Sequence, residues 1–290
     1  MKTGLIGLLA VLLLLTACHT RPPEPRRGDE IVVAGQFFHT GARVLTWMDP
    51  GGFNAYPGDG RNYNPRRDLA LRTLPALQKR VDQFVIHYDD CGLSSISFAI
   101  LQKRRLSVHF LIDVDGTIYQ TLDLVDAAQH ATIANSRSVG VELAGIGAQP
   151  PGQHKVFDQW YQRDATGRTL LRLPAHAPLT YTGGPIRPDL VRGEVQGKTL
   201  EQYDFTPEQY AALAKLTAAL CRALPLIACD YPRDAAGRLM VEKIPDAAYE
   251  KFHGVLGHYH IQENKIDPGP AFQWDKVISE ARALLKSKAP

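Results

Sequence analysis

Gly257-His258-Tyr259-His260, followed by Asn264-Lys265-Ile266-Asp267-Pro268-Gly269-Pro270-Ala271-Phe272, is the stretch on which the reading of this chain turns. His258 and Asp267 stand nine positions apart, Lys265 comes just before the aspartate, and Pro-Gly-Pro follows it. Side chains share a helical face only at spacings of three or four, so this stretch cannot present its groups from a helix. Proline and glycine set its geometry instead, and the reading is a loop. A loop that offers an imidazole, a carboxylate and an amine is a candidate metal-hydrolase site. Its missing parts must come from upstream.

Working outward, Gln83-Phe84-Val85-Ile86-His87-Tyr88 reads as a buried strand ending at a histidine. Ser94 to Arg104 has helical spacing. Ser107-Val108-His109-Phe110-Leu111-Ile112 reads as a second strand, Asp115-Gly116 as a hairpin turn, and Thr117 to Leu122 as the returning strand. Ser138-Val139-Gly140-Val141-Glu142-Leu143 is a further strand. Thr206 and Pro207 suit the N-cap and first turn of a helix running to about Ala223, with Tyr210, Leu213, Leu216, Leu220 and Leu224 on one face. Phe272 to Leu285 reads as a closing helix. Strands and helices intermingle, which predicts an α/β fold with a mixed central sheet flanked by helices. The domain is expected over 81–290. Residues 31–80 read as an irregular extension full of turn clusters, and 145–203 as a long ordered insertion whose aromatics wall the substrate cleft.

The chemistry gathers at few residues. His87, His258 and Asp267 supply two imidazoles and a carboxylate, which would leave the fourth position of a tetrahedral Zn2+ open for water. Glu142, at the end of its strand, can take a proton from that water. Lys265 can stabilise an oxyanion. His260 competes with His258 as the ligand. His39, His109, His154, His176 and His253 read as structural histidines, and Asp89-Asp90 as a solvated pair. His130 reads as a group that contacts substrate or hydrogen-bonds near the metal.

The N-terminus carries different information. Met1-Lys2 is followed by an apolar, leucine-rich run from Gly4 to Ala17, too short to span a bilayer, which takes about 20 residues. It ends Leu15-Thr16-Ala17-Cys18, a lipobox-like sequence, so 1–18 is expected to be a lipoprotein signal with Cys18 lipidated. Residues 19–30 are Pro-rich and charged and read as a tether. A membrane partner through that lipid is therefore expected, with a plain secretory signal cleaved elsewhere as the competing reading; by resemblance to other lipoproteins, His19 rather than Asp after the cysteine implies the outer membrane, facing the periplasm. The other cysteines, Cys91, Cys221 and Cys229, allow at most one disulfide; Cys221 and Cys229 could pair, or stay free. A formal net charge of +3 from 33 basic and 30 acidic side chains argues against a nucleic-acid partner. A monomer is expected.

Five segments together resemble the type-2 N-acetylmuramoyl-L-alanine amidases, the zinc amidases that share their fold with peptidoglycan recognition proteins. They are Phe84 to Tyr88, Ser107 to Ile112, Ala128-Gln129-His130-Ala131, Ser138 to Leu143 and Lys265 to Pro270, in the order that family has them. With the lipobox, the chain resembles the outer-membrane lipoprotein amidases of the group. The resemblance implies hydrolysis of the amide between N-acetylmuramic acid and L-alanine, with peptidoglycan or muropeptides as substrate. It implies His87, His258 and Asp267 as zinc ligands, Glu142 as general base and Lys265 as oxyanion stabiliser. It favours His258 over His260 because the family's ligand follows a glycine. The loop from His258 to Asp267 is one residue shorter than in the family. A protein of the same fold that binds muropeptides without cutting them is the competing expectation.

Overall fold

The computed structural model describes residues 26–56, 63–65 and 72–287. Along the chain run β1 (Glu30–Val33), β2 (Gln36–His39), β3 (Val44–Thr46), β4 (Tyr63–Pro65), α1 (Leu74–Leu77), β5 (Gln83–Tyr88), α2 (Ser94–Lys103), β6 (Phe110–Ile112), β7 (Ile118–Gln120), β8 (Asp126–Ala128) and β9 (Ser138–Leu143). There follow α3 (Lys155–Trp160), β10 (Tyr161–Arg163), β11 (Thr169–Leu171), β12 (Val191–Val195), β13 (Lys198–Gln202), α4 (Pro207–Ala223), α5 (Asp246–Tyr249), β14 (Gly254–Gly257) and α6 (Trp274–Lys286). The central sheet has the order β14-β5-β9-β6-β7-β3. All its pairings are parallel except β6 with β7, so the sheet is mixed, as expected.

Register divides the two faces of this sheet. Phe84 pairs with Val139, Ile86 with Val141 and Tyr88 with Leu143. Alternation puts these on one face. There Phe84, Ile86, Val139, Val141 and Leu143 join the main core with Tyr210, Leu213, Leu216 and Leu220 of α4 and Val277 and Ile278 of α6. The remaining pairs, Gln83 with Ser138, Val85 with Gly140 and His87 with Glu142, lie on the other face. One alternation thus assigns core and chemistry to opposite sides. α4 opens on a complete capping box: Gln209 N–H donates to Thr206 Oγ1 and Gln209 Oε1 accepts from Thr206 N–H.

Three expectations need correction. Residues 31–80 are not irregular throughout: among the described residues, β1 and β2 form a hairpin, and β3 pairs with β7 as the edge strand of the central sheet. The tether ends sooner than residue 30, because Arg26 bonds to Thr46, Asp49 and the Glu30 carbonyl, and Glu30 is buried in β1. The 145–203 segment is ordered, but its aromatics do not line the cavity described below. Phe157, Tyr161 and Leu171 bury themselves against Leu93, Val114, Ala144 and Ile146, and none of residues 146–203 lines the cavity described below. Phe157 and Tyr161, buried in a second core, are not available to a substrate. The signal segment and Cys18 lie outside the described residues. Among the described residues, no helix is long and apolar enough to cross a membrane.

Candidate functional site

β5 ends by presenting His87 on the face away from the main core, next to Glu142 of β9 in register. β14 runs parallel on the other side of β5, and Gly257 pairs with Ile86. The next residue, His258, leaves the ladder in a single 3-10 turn (His258–His260) beside His87. The chain returns at Asp267, held by the Tyr259 N–H bonding to the Asp267 carbonyl at 3.2 Å. Two adjacent parallel strands and one closed loop thus place three groups that are remote in sequence.

Their donor atoms converge. His87 Nδ1 and His258 Nδ1 lie 3.0 Å apart, and Asp267 Oδ2 is 2.8 Å from the first and 3.0 Å from the second. All three residues are buried. Three lone-pair atoms facing one point cannot all be satisfied by the one or two protons available to them, whereas a cation at that point satisfies all three. The donor set, two neutral imidazoles and one carboxylate, is that of a catalytic zinc with an open position. The residues present therefore fit Zn2+.

The outer nitrogens agree. With both Nδ1 atoms as ligand atoms, each Nε2 carries the proton. His258 Nε2 then donates to Gln262 Oε1 at 2.7 Å. His87 Nε2 donates to His130 Nδ1 at 2.9 Å, and His130 Nε2 in turn to Ser138 Oγ at 3.2 Å. Such partners fix the tautomer and orientation of a metal-binding histidine. Gly140 makes the His130 position possible, since a Cβ there would stand 2.5 Å from His130 Nδ1. Burial, then the neighbouring His87 and His109, hold His130 well below the ordinary imidazole range and so neutral. Burial and the neighbouring His258 lower His87 to about 4. Burial pushes the Asp267 carboxyl up, but His258 and His87 outweigh it and keep it below the carboxylate range.

Glu142 and Lys265 line the same cavity of about 220 Å³, along with His130, Arg104 and Tyr88. Glu142 Oε2 is buried with no hydrogen-bond partner among the described residues. Burial above all, then Asp267 and Asp89, raises its carboxyl well above the usual range.

The structure brings His87, His258, Asp267, Glu142, Lys265 and His130 into one site. His130 sits behind His87 as its hydrogen-bond partner and also reaches the cavity wall. His260 is not available as a ligand: its Nδ1 accepts from Gly257 N–H at 2.8 Å and its Nε2 donates to the Met240 carbonyl at 2.7 Å. His109 is likewise structural, accepting from Gly140 N–H and donating to the Asp126 carbonyl. Asp89 is not solvated as expected; its Oδ1 gathers the N–H groups of Cys91, Gly92 and Gly145.

Sequence reasoning passed over three glutamines. Gln262 stands four residues after His258, a spacing that could have pointed to it. Gln196 and Gln202 of the β12–β13 hairpin gave no signal. Gln202 is fully buried, donates to the Pro268 carbonyl at 3.1 Å and accepts from Ala271 N–H at 3.1 Å. Gln196 donates to the carbonyls of Tyr259 and Gln262 at 2.8 and 3.0 Å. Gly269 (φ +84°) lies so close to Gln202 that a Cβ would stand 2.1 Å from its amide oxygen.

The sequence model of the N-acetylmuramoyl-L-alanine amidases matches residues 77–270. A curated relative, the 1,6-anhydro-N-acetylmuramyl-L-alanine amidase AmpD of Haemophilus influenzae, is 22% identical over 194 residues, which is 64% of each chain. The match thus spans less than two thirds of that relative's length. Among solved structures, a selenomethionine derivative of AmpD is 20% identical, with a TM-score of 0.39 over 84% of this chain and 99% of that one. The amidase AmiD of E. coli, in complex with anhydro-N-acetylmuramic acid-L-Ala-D-gamma-Glu-L-Lys, is 19% identical, with a TM-score of 0.41 over 69% of this chain and 57% of that one. With its family model matched over more than half of its length, the chain belongs to the N-acetylmuramoyl-L-alanine amidase family.

Proposed function

We propose that this protein is a zinc-dependent amidase that cleaves the bond between N-acetylmuramic acid and L-alanine in peptidoglycan or muropeptides. The observation that carries the reading is the convergence of His87 Nδ1, His258 Nδ1 and Asp267 Oδ2 to within 3.0 Å of one another, in the cavity that also holds Glu142 and Lys265. When bound, zinc supplies a Lewis acid that polarises the scissile carbonyl and acidifies water. His87, His258 and Asp267 hold it, and His130 and Gln262 orient the two imidazoles. Glu142, kept basic enough by its burial, accepts the proton of the attacking water and passes it to the leaving amine of L-alanine. The Lys265 ammonium faces the oxyanion that develops on the former carbonyl.

The test is hydrolysis of purified muropeptides, read by mass spectrometry, with and without chelator and with zinc restored. Separate glycan and a peptide with free N-terminal L-alanine, lost on chelation and regained with zinc, is the expected result. Binding without cleavage by the zinc-loaded protein would instead make it a muropeptide-binding relative. The same reading places the protein in the cell envelope as a lipoprotein of the outer membrane, on the support of the lipobox-like Leu15-Thr16-Ala17-Cys18. Incorporation of labelled palmitate that disappears in Cys18→Ser tests that part.

A further inference from the structure

The β12–β13 hairpin turns on a residue that the turn itself does not favour. Val195 pairs with Lys198, so the loop between the strands is Gln196-Gly197 alone. Both have positive φ, 55° and 66°, as a two-residue type I′ turn requires. Glycine takes this backbone freely, and asparagine and aspartate are the side chains that tolerate it best. A glutamine held there persists because its surroundings over-determine it.

Those surroundings are the loop of the metal ligands. Gln196 Nε2 donates to the Tyr259 carbonyl at 2.8 Å and to the Gln262 carbonyl at 3.0 Å. Its Oε1 accepts from Lys243 N–H at 3.1 Å, and its backbone N–H donates to the Val241 carbonyl at 3.0 Å. The 240–244 segment grips the same turn through His260, which donates to the Met240 carbonyl at 2.7 Å while its own carbonyl accepts from Ile244 N–H at 3.0 Å. Inside the turn, the N–H groups of Ile261 and Gln262 return to the His258 carbonyl at 2.9 and 3.2 Å. The Gln262 side chain accepts from His258 Nε2 at 2.7 Å. Gln196 thus holds the main chain at the residue after the ligand and at the residue whose side chain orients it. Lys265 N–H shares the Gln262 carbonyl at 3.1 Å, so the amine of the site hangs from the same point.

We propose that Gln196 is a positioning residue for the metal site. Its amide fixes the turn between His258 and Gln262, and through Gln262 it fixes the tautomer and direction of the His258 ring. The inference rests on the zinc reading above. It gives the 145–203 segment a task at the site although none of its groups enters the cavity. A hydrogen-bond partner of a metal-binding histidine is worth about 10–100-fold in metal affinity. Gln196 stands one step further out and acts by keeping that partner in place.

The test measures zinc affinity of the full chain and its variants by competition with a chromophoric chelator. Gln196→Asn suits the turn, but its amide is one methylene short of the two carbonyls. Zinc binding weakened by about ten-fold is expected. Gln196→Gly, which frees the turn altogether and offers no amide, should behave the same way. In a Gln262→Ala background, where the partner is already gone, Gln196→Asn should cost no further affinity. A role confined to stabilising the hairpin would not produce that coupling. A zinc-binding parent whose affinity both single variants retain would overturn the proposal, as would an equal loss from Gln196→Asn with and without Gln262. A parent that takes up no zinc would overturn the zinc reading itself, and the proposal with it.

Discussion

A buried carboxylate oxygen without a partner is costly, on the order of 1–3 kcal/mol or more, and a fold retains one where chemistry uses it. Glu142 Oε2 is such an atom. Glu142→Gln keeps the shape and removes the base. Muropeptide hydrolysis should fall by about 10²–10⁴ while bound zinc stays at the parent's level. Loss of zinc in this variant would instead make Glu142 a ligand. One bond further out, Gln262 fixes the proton on His258 Nε2. Gln262→Ala should weaken zinc binding by about 10–100-fold, read by competition with a chromophoric chelator. An unchanged affinity would show that the histidine needs no such partner. At this scale the candidate site residues were readable because histidine, glutamate, lysine and aspartate announce their chemistry wherever they stand. An amide side chain announces nothing, and Gln196 and Gln202 became functional only through where the fold put them.

The β12–β13 hairpin has no group in the cavity, yet it bears on the site. Gln202 fills its amide on both sides with the backbone of the loop at Pro268 and Ala271, and Gly193 of β12 packs on Pro270. Gln202→Ala would leave a buried carbonyl and a buried N–H without partners, at a cost of about 2 kcal/mol or more. Hydrogen exchange should accelerate across residues 258–271 ahead of the β5 and β9 amides. Uniform acceleration over the whole domain would mean that the hairpin stabilises the fold without specially holding the loop. Elements with strong local signals were legible. β5 and β9 show their buried runs, and α4 shows Thr206-Pro207 and its apolar stripe. β3 was not, since three residues among glycine and proline turns become a strand only by pairing with β7, far along the chain. The strand expected from Ser107 begins its ladder at Phe110, a boundary that side-chain pattern alone does not set. The aromatics of 145–203 misled because pattern reports that rings will be buried, not against what.

Over the whole molecule, buried charge couples the fold to its solution. On the zinc reading, the three converging donors tie stability to metal, and a ligand at 1,000 times its Kd adds about 4 kcal/mol. Chelation should therefore lower Tm in the parent and leave His87→Ala unaffected; equal shifts in both would place the metal elsewhere. A second coupling involves no metal ligand. Asp113 is 1% exposed, just beyond β6. Burial, with Asp115 adding to it, raises its carboxyl to about 6 although Val114 N–H bonds to Oδ1. In the unfolded chain the same group titrates near 3.9. Between those values the folded state keeps a proton that the unfolded state has released, so raising the pH favours unfolding. The contribution is fully present below about pH 4 and is lost as pH rises through 6. It amounts to about 3 kcal/mol, because each tenfold difference in proton affinity between the two states is worth about 1.4 kcal/mol. Asp113→Asn keeps the acceptor for Val114 and cannot ionise. Its stability relative to the parent, from urea unfolding, should rise between pH 4 and pH 7 by up to that amount and level off above. A difference that stays flat across that range would mean that Asp113 titrates alike in both states, and that its charge is compensated inside the fold.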